Sequence, residues 1–258
     1  MGGVRLGRCA IVNAGDDDGL HATHTRYAGL SPATAMRTLA HPTQRVRPMH
    51  TLYYAPGAAS LVVHWLMIEL DVDHELKLLD IAARQHKQAD YLALNPSGVV
   101  PTLVVDGTPM TEAAAIALWL VDTHPGAGLA PMPGGAMRPA LMQWMFHLAN
   151  AVQPLLRQWW YPQEAAGEAH ADASRASAEA RLVEAWTRID AHLAAHGPYM
   201  LGAAPSVADF QLTMLMRWSR KTTRPAHAWH HLGALATAMK ARPSFVEMSA
   251  REGLEEWV

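Results

Sequence analysis

The chain is predicted to fold as a small mixed α/β sheet unit followed by an all-helical unit. Three observations predict this. Residues 50–126 alternate strand-like and helix-like segments, whereas everything after 137 carries helical spacing. A stretch rich in Gly, Pro and Met, 126–137, separates the two. The helical part contains Pro205-Ser206-Val207-Ala208-Asp209-Phe210, a strong helix start.

Taken in order, Thr51-Leu52-Tyr53-Tyr54 has the β-branched and aromatic character of a short strand, ended by the turn Ala55-Pro56-Gly57. A helix is expected over 60–70, where Ser60 suits an N-cap and Leu61, Trp65 and Ile68 recur at helical spacing. Residues 74–80 alternate as a second strand. Residues 81–95 read as loop and a short helix around Tyr91-Leu92, and Asn95-Pro96-Ser97-Gly98 is a turn. Thr102-Leu103-Val104-Val105 is a third strand, Asp106-Gly107 a hairpin turn, and Pro109-Met110-Thr111 a short edge strand. A helix follows over 112–124, stopped by Pro125-Gly126. The order β-α-β, then β-β-α, is the thioredoxin-like arrangement. Beyond the linker, helices are expected near 138–160, 172–196, 206–222, 228–241 and 243–252. At the start of the third of these, Ser206 caps, Asp209 reaches back to it, and Pro205 packs towards Phe210.

Residues 1–49 belong to neither unit. They hold the run Asp16-Asp17-Asp18 and several Pro and Gly, and sustain no strand or helix period. They are expected to be a disordered extension or one translated from a mis-called start, with Met49 as the initiator. Expression from Met49 tests this.

Composition narrows the function. A net charge of −2 over 258 residues offers no electrostatic footprint for nucleic acid or an anionic membrane. No apolar run approaches the roughly 20 residues that span a bilayer. The single cysteine, Cys9, excludes a disulfide framework within the chain and fits a reducing, cytoplasmic setting. Fifteen histidines include His192 and His196, four apart, and His227, His230 and His231, but no convergent third ligand presents itself for the first pair, so no metal is expected.

Val100-Pro101 precedes the third strand. A cis X–Pro bond there turns the preceding backbone towards a peptide-like ligand, which can then pair with the sheet edge. Thr111-Glu112 opens the following helix, whose N-terminal N–H groups suit a carboxylate while Glu112 suits an ammonium. The alternative is that Glu112 only complements the helix dipole.

Four motifs in order together resemble bacterial cytosolic glutathione S-transferases, from about Met49 to the C-terminus. They are Leu52-Tyr53-Tyr54-Ala55-Pro56-Gly57-Ala58-Ala59-Ser60-Leu61, the proline loop from Tyr91 to Leu103, the helix start Thr111-Glu112-Ala113-Ala114-Ala115-Ile116, and the Ser206–Asp209 box. Arg242-Pro243-Ser244-Phe245 resembles the family's closing helix. The resemblance implies a thioredoxin-like domain over 50–126, a linker at 127–137 and a helical domain over 138–258. It implies glutathione as co-substrate, a small electrophile as its partner in a conjugation reaction, and a homodimer. Val100 and Pro101 would meet the cysteinyl backbone of glutathione, and Glu112 with Ala113 its γ-glutamyl end.

The sequence departs from the family where the thiol is activated. Serine-type members have serine at the position of Ala58, and the cysteine-containing bacterial class has cysteine at that of Ala59. Ala113 likewise replaces a serine. The nearby hydroxyls of Tyr53 and Ser60 are therefore the catalytic candidates, against core packing for the first and N-capping for the second. The aromatic run at 159–161 suits an apolar co-substrate pocket, a dimer interface or core. Three function classes follow: a glutathione transferase; a glutathione-dependent isomerase, dehalogenase or peroxidase; and a non-catalytic binding or regulatory module.

Overall fold

A computed structural model of the chain describes residues 49–257. The extension expected over 1–49, Cys9 included, lies outside the described residues, apart from Met49. The sheet has four strands in the order β2-β1-β3-β4: β1 His50–Tyr54, β2 His74–Leu78, β3 Thr102–Val105 and β4 Thr108–Thr111. β1 and β2 are parallel, joined by the crossover helix α1, Ser60–Glu69; β1–β3 and β3–β4 are antiparallel. The short helix α2, Ala89–Leu94, precedes β3, and α3, Ala113–Thr123, follows β4. The mixed pairing is the thioredoxin-like sheet that the element order predicts.

Strand alternation sorts side chains by face. Leu52 and Leu103 are fully buried and join one core with Leu61, Val62, Trp65 and Leu66 of α1 and Ile116 and Leu120 of α3. That core continues into the helical half, so the described residues pack as one unit. Its helices are α4 Arg138–His147, α5 Gln153–Trp160, α6 Pro162–Ala166, α7 Ala171–His196, α8 Val207–Trp218, α9 His230–Lys240 and α10 Pro243–Arg251.

The helix expected over 138–160 is interrupted by a π turn at Leu148–Val152. Pro154, two residues on, is the reason: it has no N–H to continue the i→i−4 ladder, and its ring crowds the carbonyl of Asn150, so the backbone widens. The short helix α6 has no counterpart among the expected elements.

Two sequence signatures anchor the helical half, the first within itself and the second onto the sheet unit. At α8, Asp209 Oδ2 accepts the Ser206 N–H at 2.7 Å and the Ser206 hydroxyl at 2.9 Å, and Oδ1 accepts the Met200 N–H at 2.8 Å. At α10, Phe245 meets Trp65 edge-on at 4.9 Å between ring centres, Trp65 Nε1 donates to Ser244 Oγ at 2.8 Å, and Arg242 and Ser244 both bind Glu69 of α1. The Arg242–Phe245 segment thus closes the helical half onto the sheet unit's first helix.

Candidate active site

Three segments singled out in the sequence converge at one end of the sheet. β1 ends there, β3 begins there and β4 ends there. Tyr53 pairs with Thr102, and Thr102 with Thr111. Carrying that register one step on sets Pro101 between Tyr54 and Glu112, at cross-strand spacing. Val100, Pro101, Glu112 and Ala113 are therefore brought together.

The Val100-Pro101 bond is cis. The loop before it is held by its own side chains: the Val99 carbonyl accepts from the Tyr91 hydroxyl at 2.6 Å and from the Asn95 amide at 2.8 Å. Gly98, at φ +58°, closes the turn, where an added Cβ would lie 2.8 Å from the His86 carbonyl oxygen. Only glycine meets both demands.

Glu112 stands at the N-terminus of α3 with φ 70° and ψ 105°. A side-chain-bearing residue held in that half of backbone space costs on the order of 1–3 kcal/mol, and such outliers gather at binding sites. Its side chain is exposed and makes no capping bond. Ala113, by contrast, is buried in the core.

The turn between β1 and α1 corrects two expectations. Ser60 is not the N-cap of α1; Ala59 occupies that position, with no side-chain cap. Ser60 is fully buried, and its hydroxyl accepts the Ala55 N–H at 3.2 Å and donates to the Ala55 carbonyl at 3.1 Å. Both of these bonds lie inside the turn, so the hydroxyl braces Ala55 against the start of α1. Tyr53 points to the sheet face that α2 covers, its ring 5.5 Å from that of Tyr91 and 5.6 Å from Lys77 Nζ. The reason is alternation: Leu52 must face the core, so Tyr53 faces away and Tyr54 returns.

Tyr54 brings a further hydroxyl to this end of the sheet, one not considered from the sequence. It packs against the core beside His64 of α1, 6.0 Å between ring centres. Burial, followed by the charge of Glu252, raises its pKa, so the phenol stays protonated and able to donate. The buried-face phase of Leu52 was the signal that could have singled it out.

The helical half grips the same turn. Trp218 Nε1 donates to the Gly57 carbonyl at 2.9 Å, and the Gly57 N–H donates to Glu252 Oε2 at 2.7 Å. Glu252 Oε1 pairs with Nδ1 of the buried His64 at 2.9 Å. The guanidinium of Arg217 rests on Gly57, whose φ is +67°; a Cβ built there would sit 2.5 Å from Arg217 Nη1. These partners lie 161 and 195 residues beyond the turn for the Trp218 and Glu252 bonds, and no local pattern announces them.

The aromatic run divides. Trp160 Nε1 donates to the Trp218 carbonyl at 3.0 Å, which ties it to the residue that holds Gly57. Trp159 turns instead to Glu179 and Arg175, and Tyr161 is half exposed under Arg157. A cleft of about 370 Å³ lies against Trp257, lined by His227, Gly233, Ala236, Thr237 and Lys240, and shares no residue with the sheet end. His192 Nε2 bonds the Met200 carbonyl at 2.9 Å, which gives the His192–His196 pair a place in packing.

Comparison with known proteins gives the same picture. A family model described as the glutathione S-transferase N-terminal domain matches residues 58–123. The chain is 34% identical over 174 residues to glutathione S-transferase GST-4.5 of Xanthomonas campestris pv. campestris, covering 66% of this chain and 82% of that protein. It is 28% identical over 207 residues to glutathione S-transferase GstA of Escherichia coli O157:H7, covering 79% and 99%. Among solved structures, a glutathione transferase of Methylococcus capsulatus superposes with a TM-score of 0.73 at 30% identity, over 80% of this chain and 100% of that one. A sphingomonad glutathione S-transferase in complex with glutathione superposes with a TM-score of 0.70 at 31% identity, over 80% and 100%.

Proposed function

The chain belongs to the glutathione S-transferase family, and from that premise we propose that it binds glutathione at the sheet end and conjugates the thiol to a small electrophile. One observation carries the reading most: Glu112, exposed and held in left-handed backbone space at the start of α3, opposite Pro101 when the β3–β4 register is carried one step on. A strained glutamate beside free helix N–H groups suits the γ-glutamyl zwitterion, the carboxylate on the N–H groups and the ammonium on Glu112. Without a hydroxyl at Ala113, the carboxylate relies on backbone donors alone. Val100 offers its backbone to the cysteinyl residue. The thiol then lies towards the β1–α1 turn, and Tyr54, at the end of β1, is the donor assigned to it. Trp160 and Trp218 furnish apolar surface for the electrophile.

The reaction itself is simple. The thiolate, not the thiol, is the nucleophile, and a donor that bonds the sulfur favours the charged form. Tyr54 serves as that donor, and Ser60 only stiffens the turn. A homodimer and a cytoplasmic setting belong to the same reading; Phe146 on α4, 55% exposed, supports a partner surface on the helical half.

Titration calorimetry with glutathione, paired with a thiol-conjugation assay, tests the proposal. Wild type binds and turns over. Tyr54→Phe keeps its affinity and loses about tenfold in kcat/KM, the worth of one hydrogen bond to a developing thiolate. Tyr53→Phe changes little. Equal losses in both variants would remove Tyr54 from the role, and no heat of binding in wild type would remove the function.

A further inference from the structure

The guanidinium of Arg217 has no direct ion-pair partner among the described residues. The residue is 5% exposed, its Nε has no hydrogen-bond partner, and no carboxylate touches its guanidinium among the described residues. Burial lowers its pKa, with Arg220 acting in the same direction and Glu252 and Glu256 opposing, yet a guanidinium stays charged at any working pH. Burying a cation without a contacting anion is costly.

The nearby carboxylates are committed elsewhere. Glu252 is taken by the Gly57 N–H and by His64. Glu256 is taken by Arg220 at 2.8 Å and Lys221 at 3.6 Å. Nor does the turn need Arg217 for its hydrogen bonds, since Trp218 holds the Gly57 carbonyl and Glu252 its N–H. The guanidinium fills the space beside Gly57 that a Cβ would take, with Nη1 2.5 Å and Cζ 3.2 Å from that position. The next two residues are Ala58 and Ala59, the positions where the sequence lacks a serine or cysteine, and α1 begins immediately after them.

We propose that Arg217 is the counter-ion of the glutathione sulfur, a cation that the helical half supplies where the turn lacks a hydroxyl or thiol of its own. This rests on the glutathione reading above. An opposite charge within about 4–6 Å favours the ionised thiol, and the start of α1 adds its partial positive charge. The proton released goes to solvent. The groups that bear on the sulfur's titration are Arg217 and Arg220 in its favour, Glu252 and Glu256 against it, His64 through Glu252, and Tyr54 as a donor. Glycine at 57 leaves room for the guanidinium, since any side chain there would displace it.

The test uses the full chain with Arg217→Met, Arg217→Gln and Arg217→Lys. Two quantities are read: the pH midpoint of the bound thiolate's ultraviolet absorbance, and the affinity for S-methylglutathione, which has no ionisable thiol. The expected result is unchanged S-methylglutathione affinity in all variants. The thiol midpoint should rise by about one unit or more in the Met and Gln variants and return towards wild type in the Lys variant. Conjugation at neutral pH should fall about tenfold in the two uncharged variants and recover at higher pH. A midpoint that stays put in whichever uncharged variant folds overturns the assignment. So does loss of S-methylglutathione affinity in every variant, which would make Arg217 a support of the peptide site. If wild type fails to bind S-methylglutathione, the glutathione reading itself falls, a distinct outcome.

Discussion

Asp209→Ala is expected to destabilise the fold by about 3 kcal/mol, lowering Tm by roughly 10 °C, because it strands three buried donors at once. The Met200 N–H, the Ser206 N–H and the Ser206 hydroxyl all end on this one carboxylate. None has another acceptor within the α8 cap, and each orphaned donor costs about 1 kcal/mol or more. Chemical denaturation at neutral pH measures the loss; a midpoint equal to wild type would mean that water replaces the carboxylate without cost. The same residue imposes a pH dependence. Burial raises its pKa to about 6, against the opposing pull of its hydrogen bonds. The folded state therefore keeps a proton that the unfolded chain has already released near pH 4. Asp209's contribution is full below the unfolded value and falls away as pH rises through about 6, by on the order of 3 kcal/mol in total. Asp209→Asn, which cannot titrate, should flatten that part of the stability curve.

Glu112→Gly is expected to stabilise the protein while nearly abolishing its affinity for glutathione. At φ 70° the wild-type residue bears a Cβ where glycine alone rests freely. Relief of that conformation should add about 1 kcal/mol to unfolding stability. Loss of the carboxylate removes a charge-assisted bond to the γ-glutamyl ammonium, worth roughly a hundredfold in Kd. Glu112→Gln separates the two effects, since it retains the backbone cost and loses only the charge. Calorimetry and denaturation on the same samples give both numbers. If the glycine variant binds as wild type does, Glu112 is a helix-dipole residue and the cradle lacks its ammonium partner. If it is less stable, the left-handed backbone at 112 is held by more than the ligand.

Much of this was legible before any coordinates. Asp106-Gly107 between two β-branched runs joins β3 to β4, Asn95-Pro96-Ser97-Gly98 turns into the proline loop, and Ser206 with Asp209 starts α8. Each is a rule about residues within four positions of one another, so the chain states it locally. The mixed pairing of the sheet followed from the same elements, a parallel crossover and a hairpin, whereas the order β2-β1-β3-β4 came from the fold. Even the side of Tyr54 was latent in the period of two that begins with Leu52.

The activation chemistry was not legible, and the reason is distance along the chain. In sequence the β1–α1 turn is an unhelpful Gly-Ala-Ala-Ser, and its hydroxyl, Ser60, was an attractive candidate until packing turned it onto Ala55. Arg217, Trp218 and Glu252 reach that turn only because α8 and α10 pack on α1, burying Phe210 and Phe245 around Trp65. Hydrophobic burial decides that approach, and it is indifferent to which polar residues ride on the edges of the buried faces. By itself, then, the chain determined a sheet, a proline-bent strand start and a helix tip; the docking of two distant helices determined which charges surround them.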